Sequence, residues 1–452
     1  MASTYIKQSF GQAGTRTTMT WSFWIKRHGI GSYQKIFDAD YNNSTDYYSS
    51  IYFKNDDTLK MTSYDNGSAN IDWATSRLFR DVNAWYHIVI TMDTTNATAG
   101  DRFRVYVNGE RETLTGTYQV SQGTDNTMFN KTDEMFIGSK STSVSDYLDA
   151  SLSHFYFIDG TSYNASTFGS TDSTTGEWKI NTSPSVTMGT NGFLIFKDGN
   201  TITDQSTNSN DWVLGAGTLT KTEDNPSNVF ATLNGISGIS HPTLEHGNNS
   251  VSNSASDGNR VYGTIPSKTG YYEVKLGLNP DGSSGKGLAW GVFDVTNYSE
   301  TSYNVTSARL MKTNFGYNTY FATENFGGGN SWENISTGLD ADAGDILMVA
   351  WKSGKVYFGY NGTWFFSANP SNNTDGSTQI PLADSNAYQV AIAKSNLAGM
   401  GDCQFNFGNG YFGTTAVSTN SGNGYQDANG QGKFNYQPPT GCYALCTKNL
   451  NV

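Results

Sequence analysis

The chain has 452 residues, more than one hydrophobic core normally supports, so two or three domains are expected. Charged residues are only 15%, aromatics reach 14% and 49 residues are glycine, which excludes a helical bundle or a disordered chain and fits pleated sheets joined by tight turns. A formal charge of −12 argues against nucleic acid or anionic membrane as partners, because binding phosphate needs clustered Lys and Arg. Along the chain, Thr17 to Lys26 alternates, with Met19, Trp21, Phe23 and Ile25 on one face and Thr18, Thr20, Ser22 and Trp24 on the other, a half-buried strand. Short runs follow at Lys35–Phe37, Ser50–Phe53, Leu59–Met61, Trp85–Met92, Arg102–Val107, Met135–Gly138 and Ser151–Phe157. Clusters of Gly, Asn, Asp and Ser separate them, the pattern of an antiparallel sandwich.

After Gly160 the texture turns Ser/Thr-rich, with strand signals only at Gly192–Phe196 and Asn210–Leu214. A second strand-rich block holds Gly270–Leu276, Gly287–Phe293, Ile346–Trp351, Lys355–Tyr360, Tyr388–Ala393 and Cys403–Gly408. In each block an Asn-Gly pair ends a strand of the Arg102–Val107 or Lys355–Tyr360 kind, Asn108-Gly109 in the first and Asn361-Gly362 in the second. Both residue types tolerate positive φ, so these pairs predict tight hairpins. The expected fold is all-β: two tandem antiparallel β-sandwich (jelly-roll) domains over 1–165 and 241–416, an irregular connector over 166–240, and a C-terminal segment, 417–452, that packs back on the second sandwich.

Three cysteines, Cys403, Cys442 and Cys446, are too few for a disulfide framework, and the start, Met1 to Ile6, lacks the basic and apolar regions of a signal peptide. No apolar run reaches the ~18 residues of a membrane helix. Folding in a cytoplasm, without membrane insertion, is the expectation.

Trp21 to Arg27, Asn83 to Val89 and Phe103 to Gly109 together resemble laminin-G-like, concanavalin A-like lectin/glucanase jelly rolls. Gly270 to Val274, Ala289 to Val292 and Gly344 through Trp364 are similar to SPRY domains. The ending, Phe405 to Gly408 and Pro438 to Leu445, resembles that of SPRY-containing proteins of tailed bacteriophages. The order of these pieces is similar to that of virion proteins of tailed phages. The resemblance implies a protein made in the bacterial host cytoplasm and displayed on the virion surface, with other virion proteins and a host-surface glycan or protein as partners, and a homo-oligomer as an option.

Motifs for chemistry are sparse. Five histidines, His28, His87, His154, His241 and His246, are scattered, and no His-Glu-x-x-His string occurs. Glucanase relatives need two carboxylates on alternating positions of one strand; Asp133-Glu134 are adjacent and point to opposite faces. A non-enzymatic adhesin or tail-fibre component is therefore the leading expectation, with a capsid decoration or head-fibre role and a concanavalin A-like glycoside hydrolase as alternatives. No cofactor is expected. Calcium at rim aspartates Asp146, Asp149 and Asp159 is the one metal option, against the simpler reading of solvated loop carboxylates. For recognition, Tyr317, Tyr320 and Trp332 sit among Gly and Asn, a mixture suited to sugars or peptides. Inward alternation of Phe315, Tyr317 and Phe321 as core competes with that assignment.

Overall fold

The computed structural model describes residues 3–40, 46–117, 120–125, 127–141, 143–199, 201–236, 243–252, 259–277, 287–297, 308–314, 318–322, 332–335, 342–374, 382, 386–395, 403–418 and 424–450. The chain divides into two compact units, Met1–Lys221 and Thr222–Val452. Both are built from antiparallel sheets, and among the described residues the only helical turns are short 3₁₀ pieces. Residues 166–221 of the Ser/Thr-rich stretch lie in the first unit and 222–240 in the second.

In the first unit an eight-stranded sheet runs, in spatial order, Leu114–Thr117, Ser68–Leu78, Thr58–Asp65, Tyr48–Phe53, Gln34–Asp40, Glu134–Ile137, Tyr5–Ser9 and Val213–Ala216. A six-stranded sheet runs Phe193–Ile195, Ala150–Asp159, Thr18–Arg27, Tyr86–Asp93, Phe103–Val107 and Glu110–Arg111. Aromatic side chains dominate the core: Phe23 stacks on Phe155 at 4.9 Å, Trp21 meets Phe129 edge-on at 5.3 Å, and Phe193 meets Trp212 at 5.0 Å. Phe193 and Trp212 both come from the Ser/Thr-rich stretch. Its two strand signals supply one edge of each sheet.

Thr18–Arg27 was expected to be half-buried; instead nearly every residue is buried. The reason is a cover over the outer face. Thr20 Oγ1 donates to the Thr161 carbonyl at 2.8 Å and accepts from the Tyr163 N–H at 2.9 Å, while Tyr163, Phe168, Trp178 and Met188 cluster over Val89, Tyr156 and Ile158. Trp178 lies where a Cβ on Gly109 or Gly169 would be 2.4 or 2.6 Å from its ring, so both positions must stay glycine for it to dock.

The second unit repeats the plan. A seven-stranded sheet runs Leu244–Glu245, Ser250–Val251, Cys403–Asn406, Gly270–Leu276, Ile346–Lys352, Lys355–Tyr360 and Thr363–Trp364. A six-stranded sheet runs Asn259–Tyr262, Tyr388–Ser395, Gly287–Asp294, Ala308–Asn314, Asn318–Ala322 and Trp332–Ile335. Tyr272, Trp290, Trp351 and Phe405 belong to the core between them. The other face of the first sheet, with Tyr271, Ile346, Met348 and Tyr357, is covered by Phe434, Cys442, Ala444 and Cys446. Both predicted hairpins form. Asn108 and Gly109 have φ of 50° and 84°, Asn361 and Gly362 43° and 83°. In each, the Asn side chain also accepts from the strand beyond, Asn108 Oδ1 from the His87 N–H at 2.8 Å and Asn361 Oδ1 from the Ile346 N–H at 2.9 Å.

Candidate functional site

The described surface of the second unit carries a cleft of ≈380 Å³. One wall comes from the strand Thr363–Trp364 and the 3₁₀ turn Pro370–Asn372. Trp364 is half-buried: its ring meets Tyr271 edge-on at 6.4 Å, and Gly359 on the neighbouring strand leaves room for it. The turn is fixed locally, since Asn369 caps the Ser371 N–H at 3.1 Å, Pro370 presets φ at the first position and Asn373 closes it at φ 63°. The opposite wall is Gln437, Pro438, Pro439 and Thr440 from the C-terminal segment, with Ala428 beside them. The two consecutive prolines, both buried, have restricted backbones and stiffen that wall.

Lys352 ties the walls together. Its Nζ donates to the Ser371 carbonyl at 3.1 Å and the Thr440 carbonyl at 2.5 Å, and the Thr440 N–H donates to Ser371 Oγ at 3.2 Å. Bordering the turn, Phe366 and Ser367 hold φ of 60° and 55°. A phenylalanine there is a genuine outlier, and such strain collects at ligand-binding positions. The C-terminal wall is anchored by Glu273, fully buried. Its Oε1 accepts from the Tyr436 N–H at 2.8 Å and Tyr271 Oη at 2.9 Å, its Oε2 from the Asn435 N–H at 2.9 Å and Asn406 Nδ2 at 3.1 Å. Burial pushes this carboxyl up to about 7 while the four donors pull the other way.

The cleft presents a half-buried indole, an exposed amide and two exposed hydroxyls, backed by two buried prolines. None of its described lining side chains is acidic or an imidazole. That set can stack on and hydrogen-bond a sugar or extended peptide, and it offers no general acid or base.

Of the aromatics expected to recognise ligand, Tyr317 lies outside the described residues. Tyr320 and Trp332 fall within strands Asn318–Ala322 and Trp332–Ile335, where Tyr320 pairs with Lys312 and Asn334 and Trp332 with Ala322; their side chains lie outside the described set. The three aspartates do not form one site. Asp149 precedes and Asp159 ends the ten-residue strand Ala150–Asp159, so they stand ~30 Å apart at ~3.3 Å per residue. Asp159 is buried and saturated: Oδ1 accepts from the Thr15 N–H at 2.7 Å and Asn130 Nδ2 at 2.8 Å, Oδ2 from the Asn191 N–H at 3.1 Å. Asp149 is exposed and Asp146 half-buried. Among the described residues no three His, Cys, Asp or Glu side chains cluster as metal ligands.

A Ser–His pair does occur in the first unit, with His87 Nε2 2.9 Å from Ser22 Oγ. It is not an activated nucleophile. The indole N–H of Trp178 can only donate, and it points at His87 Nδ1 at 3.0 Å, so Nδ1 is the acceptor and Nε2 carries the proton. The imidazole therefore donates to Ser22 rather than taking its proton. Burial lowers the His87 pKa to about 3, in keeping with a permanently neutral ring.

Residues 2–162 match the sequence profile of the Concanavalin A-like lectin/glucanases superfamily, of laminin G type. No curated protein matches the chain. Among solved structures, the LG4-5 domains of the mouse laminin alpha1 chain align over 88% of this chain and 85% of theirs at 9% identity, TM-score 0.30. The SPRY domain of human HERC1 aligns over 36% and 91% at 14% identity, TM-score 0.25. The CBM40 of Ruminococcus gnavus IT-sialidase aligns over 35% and 90% at 11% identity, TM-score 0.25. At these scores the three structures bear on neither fold nor function. Residues 2–162 are thus similar to laminin-G-like β-sandwiches of the concanavalin A-like class.

Proposed function

We propose that this protein is a non-enzymatic surface-binding component of a tailed-phage virion, an adhesin or appendage subunit whose second sandwich holds host-surface glycan in the Trp364 cleft. The cleft carries this reading: a half-buried indole and two prolines on rigid β scaffolding, with amide and hydroxyl groups and no titratable side chain among its described lining residues. Aromatic faces on fixed loops bind sugars at low entropic cost. The test is binding of the purified chain to host cells and glycan arrays, with Trp364→Ala beside it. Expected is binding that competes with infection and falls at least tenfold in the variant. Unchanged binding by the variant, or release of reducing sugar from host polysaccharide, overturns the proposal.

A structural role in assembly is the second reading. Val213 and Leu214 are 53% and 46% exposed on a strand that ends the eight-stranded sheet, an apolar edge of the kind that pairs with another chain. Copies spread over the capsid in particle images, away from the tail, would favour it.

A further inference from the structure

We infer that the Trp364 cleft selects a carboxylate-bearing sugar, with the Lys352 ammonium as its charge-reading group; this rests on the glycan-binding reading above. Lys352 is the last residue of the strand Ile346–Lys352 and only 8% exposed. A buried ammonium normally faces a carboxylate, because a desolvated unpaired charge is costly. Here two of its three N–H groups go to neutral carbonyls, those of Ser371 and Thr440, one from each wall of the cleft, and no carboxylate lies within ion-pair distance of it among the described residues. The acid nearest in sequence to the lining, Asp427, is itself buried. It is occupied by the N–H groups of Asn429 and Gln431 on Oδ1 and by the Ala444 N–H and Asn449 Nδ2 on Oδ2. Its charge is thus bound up in the fold of the C-terminal segment, leaving the Lys352 cation without a counter-ion among the described residues.

That arrangement is a poor way to stabilise a fold and a good way to attract an anion. A methionine of similar length could fill the space without desolvating a charge. A pyranose stacked on Trp364, with hydroxyls toward Gln437 and Thr440, would bring a ring carboxylate into the field of this ammonium, which low surrounding dielectric strengthens. A neutral sugar would gain the stacking and lose the charge contact. Net charge of −12 on the chain repels anions at long range, so selectivity must come from this local group.

The test uses the full chain, wild type and Lys352→Met, with Trp364→Ala as a control and thermal unfolding to confirm that each variant folds. Affinity electrophoresis runs each through polygalacturonate, alginate and polysialic acid, and through the same polymers after chemical reduction of their carboxyls to alcohols. Expected is at least tenfold weaker binding of wild type to the reduced form of one acidic polymer. Lys352→Met should bind acidic and reduced forms alike, Lys352→Arg should recover part of the preference, and Trp364→Ala should weaken both. Equal binding of both forms by wild type, or a preference kept by Lys352→Met, overturns the charge-reading role while leaving the cleft a glycan site. Binding to none of the polymers overturns this inference, and the glycan-array test then decides separately whether the cleft binds sugar at all.

Discussion

Acid should loosen the first unit through His87. In the folded state Nδ1 faces the Trp178 N–H and Nε2 faces Ser22, and the ring is 1% exposed. A second proton would put one N–H against another in a desolvated site, which is why the folded pKa drops to about 3 from the usual 6.5. The unfolded chain binds that proton more readily between those values, so stability falls as pH drops below 6.5 and stops falling near 3. At pH 5 the deficit from this one group is 1.5 pH units at ~1.4 kcal/mol each, or about 2 kcal/mol. Hydrogen exchange of the Tyr86–Asp93 amides at pH 7 and 5, corrected for intrinsic rates, reads it locally. His87→Gln keeps an acceptor and a donor but does not titrate, so its loss between the two pH values should be about 2 kcal/mol smaller than that of wild type. An identical loss in both proteins would refute the tautomer assignment and the argument that Ser22 is not activated. His28 and His154, lowered by burial to about 3 and about 4, add losses of the same sign that the variant retains.

The second unit should respond to acid in the opposite direction. Glu273 holds its proton up to about 7 in the folded state against 4.5 ordinarily, so protection of the Gly270–Leu276 amides should rise by up to ~3 kcal/mol as pH falls from 7 to 4.5, and Glu273→Gln should flatten the trend. Gly362→Ala should lower the melting temperature of the unit by several degrees. It places an L residue at φ 83°, at ~1–2 kcal/mol, with its Cβ 2.9 Å from the Tyr436 ring, and calorimetry would show no shift if the turn can relax.

Features legible in the sequence were those set by neighbours along the chain. The Asn-Gly pairs fixed both hairpins because positive φ is a property of the residues themselves. The grouping of Asp146, Asp149 and Asp159 as one calcium option fails because Asp149 and Asp159 stand at opposite ends of the strand Ala150–Asp159. Burial on both faces of Thr18–Arg27 was not legible, since its cover is an irregular, Ser/Thr-rich segment with no periodicity. His87 reads as an ordinary strand histidine until Trp178, 91 residues later, points its indole N–H at the ring. The cleft likewise joins residues from Lys352 to Thr440 through backbone carbonyls, and a carbonyl carries no signature in sequence.

The cover over each sandwich sets the order in which the units can complete themselves during synthesis. In the first unit the covering residues up to Met188 leave the ribosome before the last sheet strands, Phe193–Ile195 and Val213–Ala216, so no apolar outer face waits for them. In the second, the last strand of the covered sheet, Cys403–Asn406, precedes Cys446 by about forty residues, roughly 2–8 s at ~5–20 residues per second. For that interval Tyr271, Ile346, Met348 and Tyr357 form a bare apolar sheet face beside a finished hairpin. A ribosome stalled in this window would display a nascent chain inviting chaperones or sister copies, and the same window is when Glu273 still lacks its partners at Asn435 and Tyr436.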